Sequence, residues 1–347
     1  MIKLAIIGTG GMANTHAKNF GSMKSVRIVA CCDINEKRVK DFAEKYSIKN
    51  WFTDVDKMLD SIKLDAVSVV TSDDSHYKVS IKAIKRGLHV FCEKPLATNE
   101  RDALEMLREA KRRNIITGVN FSYRNAACVQ YAHKIIKQGR IGRIIHVEAS
   151  YLQCWLSSMA WGNWRTDPKF LWRLSTKHHS NGTLGDIGVH IYDMVSFVVG
   201  EFEEINCLLK TFDKGVKRIG EYVLDANDSF VSMVKFKNGA IGTIHSSRWA
   251  TGHNNSLVLR VFGDKGAIEI DLDKSYHLIR ICKGKDNINQ TIWEEIRCPK
   301  VPTMYERFIR SIQTKKQDRP SFEDGAKVQR YLDKSFLSNK LNKWVKV

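Results

Sequence analysis

At 347 residues the chain exceeds what one hydrophobic core sustains, so two domains are the default, and 43% hydrophobic and 27% charged residues with 5 prolines exclude a disordered or collagen-like chain. The 56 Lys and Arg against 38 Asp and Glu leave a net +18, but the excess is diffuse; its densest run, Lys111 to Arg113, falls inside an amphipathic helical pattern, and no basic tail or basic-aromatic stretch exists. A lysine-rich surface is expected, with no nucleic-acid partner.

The 8 cysteines form no CxxC pair, which argues against a zinc site or a disulfide scaffold and predicts no bound metal. The first apolar run is too short for a secretory signal and no later one spans a bilayer, so a cytoplasmic protein with no membrane partner is expected.

In chain order, Ile2 to Ile7 is a nearly unbroken apolar run, the pattern of a strand buried on both faces of a parallel sheet. Gly8-Thr9-Gly10-Gly11-Met12-Ala13 follows and opens a helix that runs to about Phe20. Strand, glycine turn and helix are the order in which a dinucleotide site is built. Gly8 permits the tight turn, Gly10 lets backbone amides approach a pyrophosphate, and Ala13 packs the helix on the strand. Unpaired amides and the positive dipole end then face the phosphates. Val26 to Cys32 predicts a second strand ending at Asp33, where an acid accepts hydrogen bonds from the adenosine ribose. A carboxylate there repels a 2′-phosphate, so NAD is preferred over NADP. Lys37 and Arg38 keep NADP open, or are simply exposed helix residues, and Arg38 is counted with the cofactor contacts.

After a helix ending near Tyr46, Trp51-Phe52 reads as a hydrophobic turn and Val55 to Ile62 as a helix. Ala66 to Val70 is a further strand; Thr71-Ser72-Asp73-Asp74-Ser75-His76 caps the next helix, which runs to Arg86. Thr71 and His76 are placed at the cofactor. Leu88 to Cys92 is a strand ending in Glu93-Lys94-Pro95, and ligands bind doubly wound sheets at such carboxyl ends. Glu93 and Lys94 are therefore expected at the site. A helix from Glu100 to Asn114 and a strand from Ile115 to Val119 lead to Asn120-Phe121-Ser122-Tyr123-Arg124, where the first domain ends. Asn120 and Arg124 either face nicotinamide and substrate or pair at the domain junction.

The division is thus 1–122, a dinucleotide-binding Rossmann domain with a doubly wound parallel sheet, and 123–347, an α+β domain for substrate binding and oligomerisation. In the latter, Val129 to Lys137 predicts a helix. Strands are expected at Ile144 to Leu152, Glu204 to Thr211, Ser229 to Phe236, Ala240 to Ser246, Leu257 to Phe262, Ala267 to Asp271 and Tyr276 to Ile281. Asn238-Gly239 signals a hairpin. The result is a large, mainly antiparallel open sheet with helices on one face, leaving the other for a homodimer or homotetramer contact. Tyr305 to Ile312 and Gly325 to Leu341 predict returning helices.

Between Trp155 and His179 the chain concentrates Trp155, Trp161, Trp164 and Trp172 with Arg165, Arg173, Lys177, His178 and His179. Aromatic faces and guanidinium groups suit polyhydroxylated rings, and Trp164 with Arg165 is expected to line the substrate pocket. In Gly182 to Asp193, GTLGDIGVHIYD, Asp186 and His190 are four residues apart. A helix beginning near Asp186 would stack them on one face. Read alone, that is a capped helix start with a satisfied histidine.

The motifs GTGGMA, CCDIN, FCEKPLA, GVNFSYR and LGDIGVHIYD, in this order and spacing, resemble the Gfo/Idh/MocA family of oxidoreductases, and the likeness extends to DRPSFEDGAKVQR. The resemblance implies a nicotinamide-dependent enzyme acting on a hydroxyl of a sugar, sugar derivative or cyclitol. It makes Lys94, Asp186 and His190 the catalytic set, also in contact with substrate, and places a cis peptide bond before Pro95. His190 would be the general base, Lys94 the donor to the reacting oxygen and Asp186 the orienting acid. Two segments depart from the family pattern: Thr71-Ser72-Asp73 stands where Thr-Pro-Asn is common, and FLWRLSTKHHSNG is longer than the usual link. The alternatives are a glycosidase working through transient oxidation and a cofactor-binding protein without turnover.

Overall fold

The computed structural model describes all 347 residues, which fall into two compact units, Met1–Phe121 with Pro302–Gln329 and Ser122–Val301 with Arg330–Val347. In the first unit β1 (Ile2–Ile7), β2 (Val26–Cys32), β3 (Asn50–Phe52), β4 (Ala66–Val69), β5 (His89–Cys92) and β6 (Thr117–Val119) form a parallel sheet in the order β3-β2-β1-β4-β5-β6. Leu4, Ala5 and Ile6 are wholly buried, as expected for a central strand covered on both faces. The connecting helices are α1 (Gly11–Gly21), α2 (Glu36–Lys45), α3 (Val55–Ser61), α4 (His76–Lys85) and α5 (Glu100–Arg112). Chain order reverses between β1 and β4, and a sheet of this kind receives its ligand at that switch point.

Trp51 and Phe52, expected in a turn, instead belong to edge strand β3, where Cys31 pairs with Trp51 and Cys32 with Phe52. Three residues are too few for a periodic signal, so pairing with β2 rather than local propensity makes this strand.

The second unit begins with α6 (Ala127–Lys137), β7 (Ile144–Leu152), the short α7 (Pro168–Leu171) and α8 (Val189–Val198). The strands β8 (Phe202–Lys210), β9 (Arg218–Ile219), β10 (Tyr222–Val223), β11 (Ser229–Phe236), β12 (Ile241–Ser247), β13 (Ser256–Gly263), β14 (Gly266–Asp271) and β15 (Leu278–Lys283) follow. Then come α9 (Lys285–Asn289), β16 (Glu294–Arg297), α10 (Met304–Thr314), α11 (Phe322–Leu341) and β17 (Val345–Lys346), of which α10 and the start of α11 belong to the first unit. Nine strands make one sheet in the order β16-β15-β14-β13-β7-β12-β11-β8-β17, antiparallel except where β7 and β12 run parallel.

Alternation along β11 turns Phe230, Ser232, Val234 and Phe236 inward and leaves Val231 and Met233 on the opposite, exposed face. The inner face is closed by α8, nearly every residue of which is buried, and Tyr192 of that helix bonds Ser232 at 2.6 Å and Ser335 at 2.9 Å. The segment before α8 is not the plain α-helix start that the spacing suggested. Leu184–Gly188 makes one wide π-helical turn and α8 proper begins at Val189. Such turns are frequent where a helix carries functional groups.

Candidate functional site

In the first unit the site is built at the end of β1. Gly8 has φ +88°, and a β-carbon there would lie 2.4 Å from the Val70 carbonyl oxygen, so only glycine lets these two strand ends close up. Gly10 is the N-cap of α1 and supplies no side-chain cap, and no acid stands in the first turn. Apart from the Ala13 amide, which donates to Gly10 O at 3.1 Å, the amides of the first turn therefore keep their donors for a ligand. A β-carbon at Gly10 or Gly11 would meet nothing within 4 Å, so there is room over this helix end, with Met12 half exposed beside it and Ala13 fully buried beneath.

Asp33 closes β2 and is buried. Its Oδ2 accepts from the Thr9 amide at 2.8 Å, the Thr9 hydroxyl at 3.0 Å and Arg38 Nε at 3.0 Å; Oδ1 accepts from the Asn35 amide at 2.9 Å and Arg38 Nη2 at 2.7 Å. Burial alone would raise its pKa, but these hydrogen bonds, led by Arg38, hold the carboxyl below the ordinary value.

At the ends of β4 to β6 a buried polar network stands behind the turn that carries Lys94. His16, on α1, contacts Ser68 through Nδ1 at 2.7 Å and Glu93 through Nε2 at 2.8 Å, and Asn120 donates from Nδ2 to the same Glu93 oxygen at 2.5 Å. Burial pushes Glu93 upward, yet the bond to His16, that residue's charge, Asn120 and Lys94 together bring it down to about 2. Glu93 is thus an inner support; its other oxygen accepts the Lys94 amide at 3.2 Å, and it is not the free cofactor contact expected. Donation to Glu93 fixes the Asn120 amide so that Oδ1 is a buried acceptor with no partner in the protein.

His76, also expected to touch the cofactor, is wholly buried instead. Its Nδ1 lies 2.7 Å from the Pro95 carbonyl and its Nε2 3.1 Å from the Thr71 carbonyl, tying together the loops after β4 and β5. The Lys94-Pro95 bond is cis, as the resemblance implied. Thr71 thus offers its carbonyl inward, while its hydroxyl makes only a 3.4 Å contact with Ser72.

The donor set fits a nicotinamide dinucleotide: an uncapped helix end for the diphosphate, an acid at the end of β2 for the ribose, and at Asn120 an orphaned acceptor of the kind a carboxamide NH₂ would satisfy.

In the second unit, Gly182 sits at φ +66° against Asn227, whose Oδ1 takes the Leu184 amide at 3.0 Å and whose Nδ2 donates to Asn181 O at 3.0 Å. This scaffold fixes the π turn and with it Asp186. Arg248, from the end of β12 and fully buried, donates from Nη2 to Asp186 Oδ2 at 2.8 Å and from Nη1 to Arg173 O at 3.1 Å, its guanidinium lying 5.0 Å from the centre of the Trp155 ring. Arg173 Nε is 3.5 Å from the same carboxylate oxygen. One turn on, His190 presents its ring edge-on to Tyr123 at 5.1 Å and near Tyr151 at 6.3 Å. The two tyrosine hydroxyls bond each other, and Asn255 accepts from Tyr151 at 2.8 Å.

Arg124 is not a substrate contact. It is 1% exposed, donates through Nε and Nη2 to Asp193 at 2.8 and 2.6 Å, and its guanidinium lies 4.2 Å from the centre of the Phe197 ring. The paired reading of this arginine holds, with a partner inside its own unit. Trp164 is likewise core: it is 5% exposed among Trp155, Leu156, Phe170, Leu171 and Leu174 and donates to Leu156 O at 3.2 Å. Arg165 stacks on its outer face at 4.5 Å and donates to Lys214 O at 2.8 Å. The aromatic run fills a satellite core before anything else. Sequence reasoning missed Arg248, Tyr151, Asn227, Asn255 and His16; only the position of His16, one turn into α1 below the glycine turn, carried a signal.

A family model described as "Oxidoreductase family, NAD-binding Rossmann fold" matches residues 2–121, and the "GFO/IDH/MocA C-terminal domain" matches residues 129–269. Among curated relatives, a levoglucosan dehydrogenase of Pseudarthrobacter phenanthrenivorans is 29% identical over 299 residues, covering 79% of this chain and 74% of that one. A myo-inositol 2-dehydrogenase of Thermotoga maritima is 27% identical over 275 residues, covering 78% and 75%. The solved structure of a levoglucosan dehydrogenase in complex with NADH superposes with a TM-score of 0.89 at 25% identity, over 100% of this chain and 99% of that one.

Proposed function

The chain belongs to the Gfo/Idh/MocA family of oxidoreductases, and from that premise we propose how its own residues act. The protein is an NAD-dependent dehydrogenase that interconverts a secondary hydroxyl and a carbonyl on a sugar, sugar derivative or cyclitol. The observation that carries this reading is the uncapped, open first turn of α1 at the switch point of the sheet, with a buried acid at the end of the neighbouring strand.

When bound, NAD supplies the acceptor for the hydride leaving the carbinol carbon. Gly8 to Ala13 hold the diphosphate, and Asn120 takes the carboxamide. His190 accepts the proton of the reacting hydroxyl, a task suited to a neutral imidazole near pH 7. The Lys94 ammonium donates to the same oxygen and stabilises its developing negative charge. Asp186 orients the neighbouring substrate hydroxyl and is itself held by Arg248. Glu93, His16 and Asn120 brace the turn that aims Lys94.

The exposed face of the second unit's sheet carries Leu208, Val231, Met233 and Ile241, each between 46% and 63% exposed, and such a row supports a homodimer or homotetramer. All 8 cysteines are free and buried, and no helix is long and apolar enough to cross a membrane; the thiols support a cytoplasmic location.

The test is a melting-temperature screen with dinucleotides, followed by levoglucosan, myo-inositol and glucosides assayed for NADH absorbance. A dinucleotide-dependent shift and NADH formation with at least one polyol support the reading. No shift with any dinucleotide overturns it, and sugar release without NADH would point to hydrolysis through transient oxidation.

A further inference from the structure

Five hydrogen bonds link the two tyrosines beside His190 to Trp155, and donor chemistry permits only one direction through them. Leu152 ends β7 and pairs with Ser256, which opens β13, so Gln153 and Asn255 stand opposite each other just beyond the paired strands. An indole N–H can only donate. The atom of Gln153 that faces Trp155 Nε1 at 3.1 Å is therefore Oε1, which leaves Nε2 to donate to Asn255 at 2.9 Å. Asn255 meets that donor with Oδ1, and its Nδ2 is then turned to the Tyr123 hydroxyl at 3.2 Å.

The same Oδ1 accepts from Tyr151 at 2.8 Å. A phenol has one proton, and Tyr151 gives its own to Asn255, so Tyr123 is the donor where the two hydroxyls meet. Tyr123, Tyr151 and Asn255 thus close a head-to-tail cycle whose sense is set by a tryptophan outside it, and each bond in such a cycle polarises the next. His190 packs against the cycle, edge-on to Tyr123 with ring centres 5.1 Å apart and 6.3 Å from Tyr151. Trp155 also carries the Arg248 guanidinium 5.0 Å from its ring centre, and Arg248 holds Asp186. His190 and Asp186 are therefore tied to one buried indole, the first through its N–H and the second through its ring face.

We infer that Asn255 is a positioning residue for His190, and that Gln153 and Trp155 act behind it by fixing its amide. This rests on the reading of His190 as the general base. The influence of Asn255 reaches the imidazole through the tyrosine hydroxyls. Without it the two phenols lose the partner that closes their cycle, and the aromatic walls of His190 are free to shift. A displacement of about an ångström at a catalytic group costs on the order of 10²-fold in rate.

The experiment compares Asn255→Leu, Gln153→Met and Tyr151→Phe with wild type, first by nitrogen-15 spectra of the histidine side chains and then by kinetics with NAD and levoglucosan or myo-inositol. His190→Ala identifies the His190 signal by its loss. The expected result is a displaced His190 signal in all three variants and a kcat lower by about 10- to 100-fold, with KM within about twofold of wild type. The double variant Asn255→Leu/His190→Ala should be no slower than His190→Ala alone, because a residue that acts through the imidazole then has nothing left to position. Gln153→Met, two bonds removed from the tyrosines, carries the same test should Asn255→Leu fail to fold. An unmoved His190 signal in a folded Asn255→Leu or Gln153→Met overturns the inference. So do losses that multiply in the double variant, or a KM rise with kcat intact, either of which gives Asn255 a role of its own. A wild type that forms no NADH with any polyol removes the dehydrogenase reading instead, and the histidine spectra still decide whether Asn255 positions His190.

Discussion

Arg248 and Asp186 form an ion pair at 2.8 Å in which the arginine is fully buried and the acid keeps 23% of its side-chain surface. The acid of the GDIGVH segment is therefore already engaged by Arg248, with Arg173 Nε at 3.5 Å as a second cation. That geometry favours the anchoring role proposed for Asp186 over one as a proton acceptor.

Replacing Arg248 by lysine keeps a cation but loses the fork that bonds Asp186 Oδ2 and Arg173 O at once. We expect Arg248→Lys to fold, to lose roughly tenfold in kcat/KM, about 1.4 kcal/mol of transition-state stabilisation, and to leave NAD affinity within error of wild type. Arg248→Met strips the partner from the acid and should lose more. Steady-state kinetics with calorimetry on the same samples checks this; wild-type kinetics in both variants would detach Arg248 from the site.

His190 is 9% exposed and lies edge-on to Tyr123, with the Tyr151 ring tilted beside it. If His190 is the proposed general base, its replacement by alanine lowers kcat by about 10²- to 10⁴-fold with little change in dinucleotide affinity. Near-normal turnover in His190→Ala would remove it from the catalytic set. Lys94→Met should show a comparable loss, since the oxygen's charge is then left without its donor.

Glu93 gives a pH dependence whose sign is fixed by its neighbours. Its folded pKa of about 2 lies below the ordinary 4.5, so the group stabilises the fold above pH 4.5, and that stability is lost as pH falls toward 2. The difference corresponds to about 3 kcal/mol. Chemical denaturation of wild type and Glu93→Gln at pH 7 and pH 3 should show a stability gap that narrows sharply at the lower pH. An unchanged gap would mean that His16 and Asn120 do not hold the carboxylate in solution as they do in the structure.

The parallel sheet was legible because its central strands are continuous apolar runs and its turns carry glycine or capping residues, so β1, β2, β4 and β5 follow from Ile2 to Cys92 almost without tertiary information. Edge strands were not: β3, β16 and β17 have two to four residues each, and pairing alone makes them strands. Lys94, Asp186 and His190 stood out through the family motifs that carry them, whereas Arg248 lies 62 residues from the acid that it holds, and nothing local in Ser247-Arg248-Trp249 marks the partner. Trp164 was misread for the same reason, and for Arg124 the sequence left two readings open. A tryptophan or an arginine has the same appearance in sequence whether it meets a sugar, a core or an aspartate.

Trp164 tests that correction. Since it is packed with Phe170 and Leu174 and bonded to Leu156 O, Trp164→Ala should cost about 3 to 5 kcal/mol of stability, as aromatic truncations in cores do. Trp164→Phe should recover most of it, and its KM should stay close to wild type. A large KM rise in a stably folded Trp164→Phe would return this residue to the substrate pocket.

His76 makes the opposite pH prediction from Glu93. Both ring nitrogens face carbonyl oxygens, Pro95 at 2.7 Å and Thr71 at 3.1 Å, and a neutral imidazole has only one N–H to give. Burial pulls the pKa down, but Cys92, Asp73 and the Pro95 carbonyl outweigh it and raise the group from 6.5 to about 10. A folded pKa above the unfolded one means that the contribution is fully present below pH 6.5, declines above it and is lost as pH rises through about 10. Nitrogen-15 spectra of the labelled protein should therefore show one histidine with both ring nitrogens protonated and unresponsive from pH 6 to pH 8. His76→Gln, which can donate to one carbonyl but not to both, should lose stability most at neutral pH and least near pH 10. Because the Thr71 and Pro95 loops flank Lys94, the same variant should lower kcat more than it raises KM. A His76 signal that titrates near its ordinary value would rule out the buried cation.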